Sequence, residues 1–432
     1  MNKILHPFYI ILLLFIAITS PICGSNYISV FVVFASFFYI HKSEYLLNLL
    51  LFCLVFFYRI PHHIPVTPII TVLYVMSVFT RTRLVDLHHI KFNIKLLILA
   101  ITTIIFLYYS CYYSITESYS QLPLFVSFIL LLYFSTYDRS LNLKTFQKLL
   151  YISAIIGLSY IFVKLIIAPH YVEGRRGIFV QQNVNATARG ISMLLVILCY
   201  RLYAKYANRF VDVSLLSLGL FSILLTGSRT ALLSFGVTIY LLVITYANNK
   251  KKILTSTMLT GLAGLILYTL ISFVDIPFLE RFTDMLSVDT IMQDTRIISS
   301  GLLIHRAIIP NPLWGVGLGN ENSEFLLGYI ADADNLYIDM ITQVGFAGFF
   351  AFVILIIMVL KKTLHYIKYD KRNKAVLFVP LALMYQQLSF TLTESMFDEL
   401  GLWFAIALMI IYINSVKYGV SSSNDIISCS KL

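Results

Sequence analysis

Charge is scarce in this chain. Only 12% of its 432 residues are Asp, Glu, Lys or Arg, against about a quarter in an average soluble domain. A surface facing water on every side cannot be built from so few ionised groups, so a water-soluble globule is excluded. Cysteine is also sparse: Cys23, Cys53, Cys111, Cys199 and Cys429 are scattered, mostly within apolar runs, with no CxxC or Cys/His ligand spacing. Neither a disulfide framework nor a zinc site follows from them. No fixed-period repeat of the solenoid kind is present, and inverted halves of the transporter kind are not evident. No small-x-small cleavage site follows the first apolar run, Phe8 to Ile22, and Ser20-Pro21-Ile22-Cys23 is a poor lipoprotein box. That run is expected to be an uncleaved first span.

What is present is hydrocarbon. The chain is 59% hydrophobic and its mean hydropathy is +0.84. Apolar runs of roughly 15 to 22 residues recur along its whole length, enough to cross about 30 Å of hydrocarbon with some tilt or thinning. The expected class is an all-α polytopic membrane protein of about fourteen helices. The spans are read at 8–22, 27–40, 45–58, 67–80, 94–113, 122–137, 149–168, 186–203, 211–227, 230–246, 253–273, 335–360, 375–392 and 400–416. As segments this gives N-terminal transmembrane helices at 1–168, a first outer loop at 169–185 and central helices at 186–273. A large outer loop at 274–334, C-terminal helices at 335–416 and a disordered cytoplasmic tail at 417–432 follow.

The net charge of +11 does not point to nucleic acid, because the basic residues cluster in alternate short loops. Arg81, Arg83, Lys91 and Lys95 fall in one, Arg139, Lys144 and Lys148 in the next, then Arg201, Lys205 and Arg209. Lys250 to Lys252 and Lys361 to Lys374 complete the set. By the positive-inside rule these loops face the cytoplasm, as do both termini. The two large polar loops then share the outer side.

Ionisable, glycine and amide residues concentrate between Asp289 and Asp339, and function is sought there and in nearby arginines. Arg229 stands in TGSRTALLSFG between two spans. A lone guanidinium at mid-membrane costs about 2.5 to 3.5 kcal/mol, so it is shallow, snorkelling or paired. It is either an interfacial anchor or an anion ligand, whose planar fork suits phosphate oxygens. Gly227 and Ser228 fit a tight turn whose N–H groups open the next helix. Residues 295–309 read as an amphipathic surface helix carrying Arg296, His305 and Arg306, ended by Pro310 and Pro312. Arg281 adds a further cation to the same loop. Gly315, Gly317 and Gly319 permit close backbone approach to a ligand, but no P-loop residues accompany them.

Asp332 and Asp334 close the loop before Asn335 and Tyr337. They can solvate a loop end, ligate a divalent metal or provide a general base. On the first loop, GRRGIFVQQNVNATARG offers Arg175, Arg176, Asn183, Asn185 and Arg189, whose amides can hydrogen-bond sugar hydroxyls. The sequon at Asn185 says little. His62, His63, His88 and His89 are adjacent pairs without helical ligand spacing and read as loop residues.

The chain resembles the O-antigen polymerase and O-antigen ligase superfamily of bacterial membrane glycosyltransferases. The resemblance rests on LLTGSRTALLSFG at 224–236, DTRIISSGLLIHRAIIPNPLWGVGLGN at 294–320 and ADNLYIDMITQVGFAGFF at 333–350. It covers roughly the second half of the chain. Ligases of that superfamily carry an arginine in the first block, another at the start of the second and a histidine before asparagine in the third. The arginines correspond to Arg229 and Arg296, but Asp334 stands where the histidine would, which looks more like the polymerase branch. Polymerases are also described by an arginine followed eleven positions later by glycine. Arg306 and Gly317 fit that spacing, while Arg175 and Arg176 do not.

The resemblance implies transfer of a growing glycan from undecaprenyl diphosphate onto a lipid-linked repeat unit, in a bacterial inner membrane. No metal or cofactor is implied. The catalytic set is then Asp334 as base with Arg296 and Arg229 as diphosphate clamps. Arg306, Arg189, Arg176, Asn185 and Asn335 are substrate-binding candidates. Expected partners are lipid-linked oligosaccharide and polysaccharide, membrane lipids and a chain-length regulator protein, with no nucleic acid. The competing expectations are an O-antigen ligase and a lipid-linked oligosaccharide flippase. A flippase should carry charge along mid-membrane helices, where Lys164 is the main exception to a one-sided distribution.

Overall fold

A computed structural model describes residues 2–19, 26–56, 66–81, 122–138, 141–167, 169–172, 175–177, 184–204, 209–246, 295–317, 326, 328, 335–369, 371–392 and 400–417. Its helices are α1 (Asn2–Thr19), α2 (Asn26–Phe37), α3 (Ser43–Phe56), α4 (Val66–Arg81), α5 (Leu122–Ser135) and α6 (Leu143–Ile167). After them come α7 (Val184–Tyr203), α8 (Arg209–Thr226), α9 (Arg229–Tyr246), α10 (Thr295–Leu303), α11 (Leu336–Tyr369), α12 (Lys371–Val376), α13 (Phe378–Phe390) and α14 (Leu400–Lys417). Each expected span within the described residues overlaps one of these helices. The spans at 94–113 and 253–273 lie outside them, as does the tail beyond Lys417.

Five of the helices, α6, α7, α8, α9 and α11, are long and apolar enough to cross a membrane; the shorter apolar helices run 10–17 residues. Two classes of helix separate by burial. Residues of α3, α7 and α14 are enclosed on nearly all sides; α3 and α14 are apolar over most of their surface, as expected of buried helices, whereas α7 also buries polar residues. The peripheral helices turn large apolar side chains outward: Ile11 and Ile18 on α1, Phe210 and Phe221 on α8, Leu233 and Val237 on α9, Phe350, Ile354 and Ile357 on α11. In water such faces would aggregate; in lipid they are the solvated surface.

The described secondary structure is helical apart from one short strand pair. Within the first outer loop, β1 (His170–Val172) pairs antiparallel with β2 (Arg175–Gly177), Tyr171 opposite Arg176. Tyr171 and Val172 of β1 are of strand-favouring types, and the two segments, close enough to reverse on each other, satisfy backbone groups by cross-strand bonds. The same loop ends earlier than expected. Asn185 and Arg189 are not loop residues but lie in the first turns of α7, deeply buried.

Helix starts are fixed by side-chain caps. Asn142 Oδ1 accepts from the Thr145 N–H at 3.0 Å ahead of α6. Ser228 Oγ accepts from Ala231 at 3.3 Å in the first turn of α9. Asn335 Oδ1 accepts from Tyr337 at 3.0 Å and Ile338 at 3.3 Å ahead of α11. Each satisfies N–H groups that the helix itself cannot.

The 34 residues of α11 would extend about 51 Å if straight, far more than a bilayer core needs. The helix is broken at Gly345, where φ is 67°. The loop after α10 fills the break with a backbone clamp. Val316 N–H donates to Thr342 O at 2.8 Å and Gly317 to Gln343 O at 3.1 Å, while Phe346 donates to Pro312 O at 2.8 Å and Ala347 to Leu313 O at 3.3 Å. A Cβ on Gly315 would sit 2.5 Å from the Gln343 carbonyl carbon. The close approach permitted by Gly315 and Gly317 is therefore to the chain's own backbone. The expected surface helix at 295–309 is α10 continued by a π-helical turn, Ile304–Ile308, with Leu303 packed against Ile338 of α11.

Candidate active site

Contacts between helix ends bring four of the candidate residues to one end of the bundle. Near its start, α7 carries Asn185, Arg189 and Ser192, which at this spacing form one stripe of the helix. Asn185 Oδ1 accepts from Ser228 Oγ at 2.9 Å, joining α7 to the α8–α9 turn. That turn is made by Gly227, with φ 64°, and by Ser228, so Arg229 is the first residue of α9. It sits half-buried, at the electropositive end of the helix dipole.

Arg189 is only 3% exposed, and its guanidinium lies over the Phe390 ring at 5.8 Å from the centroid. Phe390 is the last residue of α13. Just beyond it, the Thr391 carbonyl accepts from the Leu336 N–H at 3.0 Å, and the Leu392 carbonyl accepts from Asn335 Nδ2 at 3.1 Å. Thus the starts of α7, α9 and α11 and the ends of α8 and α13 meet, bringing Asn185, Arg189, Arg229 and Asn335 to a common end.

Other candidates lie on elements that adjoin these helices. β2, which holds Arg175 and Arg176, packs against α7 and α8. Arg296 lies in the first turn of α10, which packs against α11. Arg306 is exposed in the π-helical turn and donates from Nη1 to the Leu326 carbonyl at 3.2 Å. Arg281, Asp332 and Asp334 fall outside the described residues, as do Asn183 and Gly319. In sequence Asp334 directly precedes Asn335, the cap of α11.

Two sets of buried polar residues were not singled out by the sequence patterns. Gln386 and Gln387 of α13 are fully enclosed; Gln386 Nε2 donates to Ser192 Oγ at 3.0 Å, and Gln387 donates to Gln386 Oε1. On α11, Asp339 and Thr342 lie one turn apart and are buried, and the Thr342 hydroxyl has no hydrogen-bond partner among the described residues. The available signal was the polar pair in YQQLSF within an apolar run, and the stripe Asn185, Arg189, Ser192.

Chemically, a buried guanidinium, a second one opening a helix and a set of neutral amides and hydroxyls suit an anionic group attached to hydroxyl-rich chemistry. Residues 214–353, running from within α8 to the middle of α11, match the family described as O-antigen ligase. Over that segment the chain is similar to a family whose members are membrane glycosyltransferase-like enzymes acting on lipid-linked polysaccharides. No curated protein matches the chain. The stripe on α7 and the contacts from α13 lie outside the matched residues.

Proposed function

We propose, from the similarity of residues 214–353 to the O-antigen ligase family, that the chain belongs to the O-antigen ligase and polymerase superfamily and is a polymerase of O-antigen or a related surface polysaccharide. It transfers a growing glycan from undecaprenyl diphosphate onto the non-reducing sugar of a lipid-linked repeat unit, at the outer face of the bacterial inner membrane. The observation that carries this is the convergence of Arg189, Arg229, Asn185 and Asn335 at one end of the helices. A diphosphate leaving group needs cations that stay charged when desolvated, and guanidinium does so.

In the reaction, the acceptor hydroxyl oxygen bonds to the anomeric carbon as the bond from that carbon to the diphosphate oxygen breaks. The bonding electron pair leaves with undecaprenyl diphosphate. Arg229 and Arg296 stabilise the charge that develops on the leaving oxygens; Arg189, Arg306 and Arg176 hold the rest of the diphosphate and sugar, with Asn185 and Asn335 orienting hydroxyls. Asp334 takes the acceptor proton as a base, and no metal takes part. Carboxylates commonly serve glycosyl chemistry.

Asp334 in place of histidine favours the polymerase over the ligase. The matched family's description favours the ligase, which remains the second reading. A flippase is disfavoured because Arg189 and Arg229 stand near the adjoining starts of α7 and α9, and Arg296 and Arg306 lie in the outer-loop segment that packs on α11, rather than along mid-membrane faces.

Deleting the gene and resolving the surface glycan by size separates the three. The polymerase predicts a single repeat unit on its acceptor. A ligase deletion leaves polymer on the carrier lipid, and a flippase deletion exposes neither. A normal long-chain ladder in the deletion strain would sink the proposal. Asp334→Asn is expected to abolish chain growth at normal protein level. Loss of activity on adding chelator, with Asp334→Asn still active, would replace base catalysis by metal catalysis.

A further inference from the structure

We infer that Gln386 and Phe390 of α13 are positioning residues for the Arg189 guanidinium, so that the substrate site extends beyond the family-matched segment to a cradle built between α7 and α13. The inference rests on the proposed function for the role of Arg189.

Two pairs of contacts define the cradle. Gln386 and Phe390 are four residues apart on α13, and Arg189 and Ser192 are three apart on α7, so each pair shares a face of its helix. Gln386 Nε2 meets Ser192 Oγ at 3.0 Å, and the Phe390 ring meets the Arg189 guanidinium at 5.8 Å. Ser192 in turn reaches the Ala188 carbonyl at 3.1 Å and the Arg189 carbonyl at 2.9 Å. The orientation of the Gln386 amide is set by its neighbour, because Gln387 donates to its Oε1 and leaves Nε2 for Ser192. A relay thus runs from Gln387 through Gln386 and Ser192 to the backbone of the residue that carries the cation.

Burial makes this arrangement costly unless it serves something. Ser192, Gln386 and Gln387 are fully enclosed and Arg189 nearly so. Leucine in their places would pack the same helices without desolvating amides. The Phe390 ring, 5.8 Å from the guanidinium carbon, attracts the cation by its quadrupole without accepting a hydrogen bond in the manner of a carboxylate. The stripe continues to Asn185, whose bond to Ser228 joins it to the turn before Arg229. One face of α7 therefore registers both arginines against each other.

The test uses the deletion strain carrying full-length variants, with chain growth expressed per amount of protein in the membrane. Phe390→Leu keeps apolar bulk but removes the π face, and is expected to lower chain growth about tenfold, whereas Phe390→Tyr, which keeps the face, should restore it to within about threefold of wild type. Gln386→Leu should also lower growth, and adding Ser192→Ala to it should cause no further loss, since both act through one contact. With the repeat-unit lipid isolated from the deletion strain as substrate, Phe390→Leu is expected to raise KM more than it lowers kcat.

Equal activities for Phe390→Leu and Phe390→Tyr, whether both normal or both impaired, would overturn the cradle. If Phe390→Leu does not accumulate, Phe390→Met against Phe390→Tyr carries the same comparison. A deletion strain with an unaltered glycan ladder overturns the polymerase proposal instead, whereas loss of the ladder with equal variants overturns only the cradle.

Discussion

The two ends of the bundle treat arginine differently. At the end where α7 finishes and α8 begins, Arg201 Nε donates to both oxygens of Asp212, at 3.0 and 3.1 Å, and its guanidinium lies 3.5 Å from the Tyr151 ring centroid. Asp212 is fully buried. Nearby ends are tied by similar cross-helix contacts: Tyr74 to Asp138 at 3.0 Å, the Asn142 N–H to Glu44 at 3.2 Å, and Asn414 to the Thr136 carbonyl at 2.9 Å. Tyr203, Tyr246 and Phe378 pack together over the same end. At the opposite end, the contacts around Arg189 include the Phe390 ring beside its guanidinium and a chain of amide and hydroxyl groups, Gln387, Gln386 and Ser192, that ends on its backbone carbonyl. The first end is tied by an ion pair; the second gathers the arginines to which the proposed function assigns the substrate.

The largest expected effect is on chain growth. Arg229→Ala or Arg296→Ala should reduce it about a hundredfold or more while protein level stays within twofold, if each stabilises charge on the leaving group. Arg201→Ala should do the reverse, lowering protein level while growth per molecule is retained. Breaking a buried pair by removing one partner costs about 3 to 5 kcal/mol, whereas replacing both charges by apolar groups is often neutral. Thermal unfolding in detergent should therefore show Arg201→Ala far below wild type, and Arg201→Met with Asp212→Leu recovering most of the loss. If the arginine-end variants lose protein and Arg201→Ala loses only activity, the assignment of the two ends is inverted.

Next in size is the clamp that sets the large loop on α11. Gly345 has φ 67°, and a Cβ there would run into the backbone of Leu313 and Trp314. Gly345→Ala is expected to cost about 2 kcal/mol or more, from strain and lost docking together. Gly236 of α9 is the control, since a Cβ there meets nothing within 4 Å. Gly236→Ala should stabilise by roughly 0.5 to 1 kcal/mol. Thermal unfolding of both variants, with the ladder read alongside, distinguishes a clamp that positions the site from a glycine that is merely tolerated.

Much of this was legible in the sequence, for reasons that particular residues make clear. Apolar runs locate helices because transfer to lipid is what hydropathy measures, and the turn at Gly227-Ser228 with Arg229 opening α9 follows from local chemistry alone. The start of α7 was legible to within two residues, although the polarity of NATARG also suits an outer loop. That α7 is enclosed by protein, and so can carry a polar stripe that no lipid touches, was not legible. Glycines at 315 and 317 announced a close approach, but its object was a kink in α11 remote in sequence. The contact of Gln386 with Ser192 spans 194 residues, and which helices adjoin is a property of the assembled bundle rather than of either segment.

The smallest effect provides the sharpest comparison, because the two ends have matched caps. Ser228 caps α9 at the arginine end through the Ala231 N–H, and Asn142 caps α6 at the opposite end through the Thr145 N–H. Replacing either by alanine leaves one N–H unsatisfied, at about 1 kcal/mol. Equal losses in unfolding temperature are therefore expected from Ser228→Ala and Asn142→Ala. Their effects on chain growth should differ. Ser228 also donates to Asn185, so its loss frees the turn that presents Arg229 and uncouples it from the α7 stripe; growth per molecule should fall several-fold. Asn142 neighbours Glu44 and a joint, so growth per molecule should be unchanged. Because the stability cost is common to both variants, a difference in growth can arise only from where each cap sits, and equal growth would remove the distinction between the two ends.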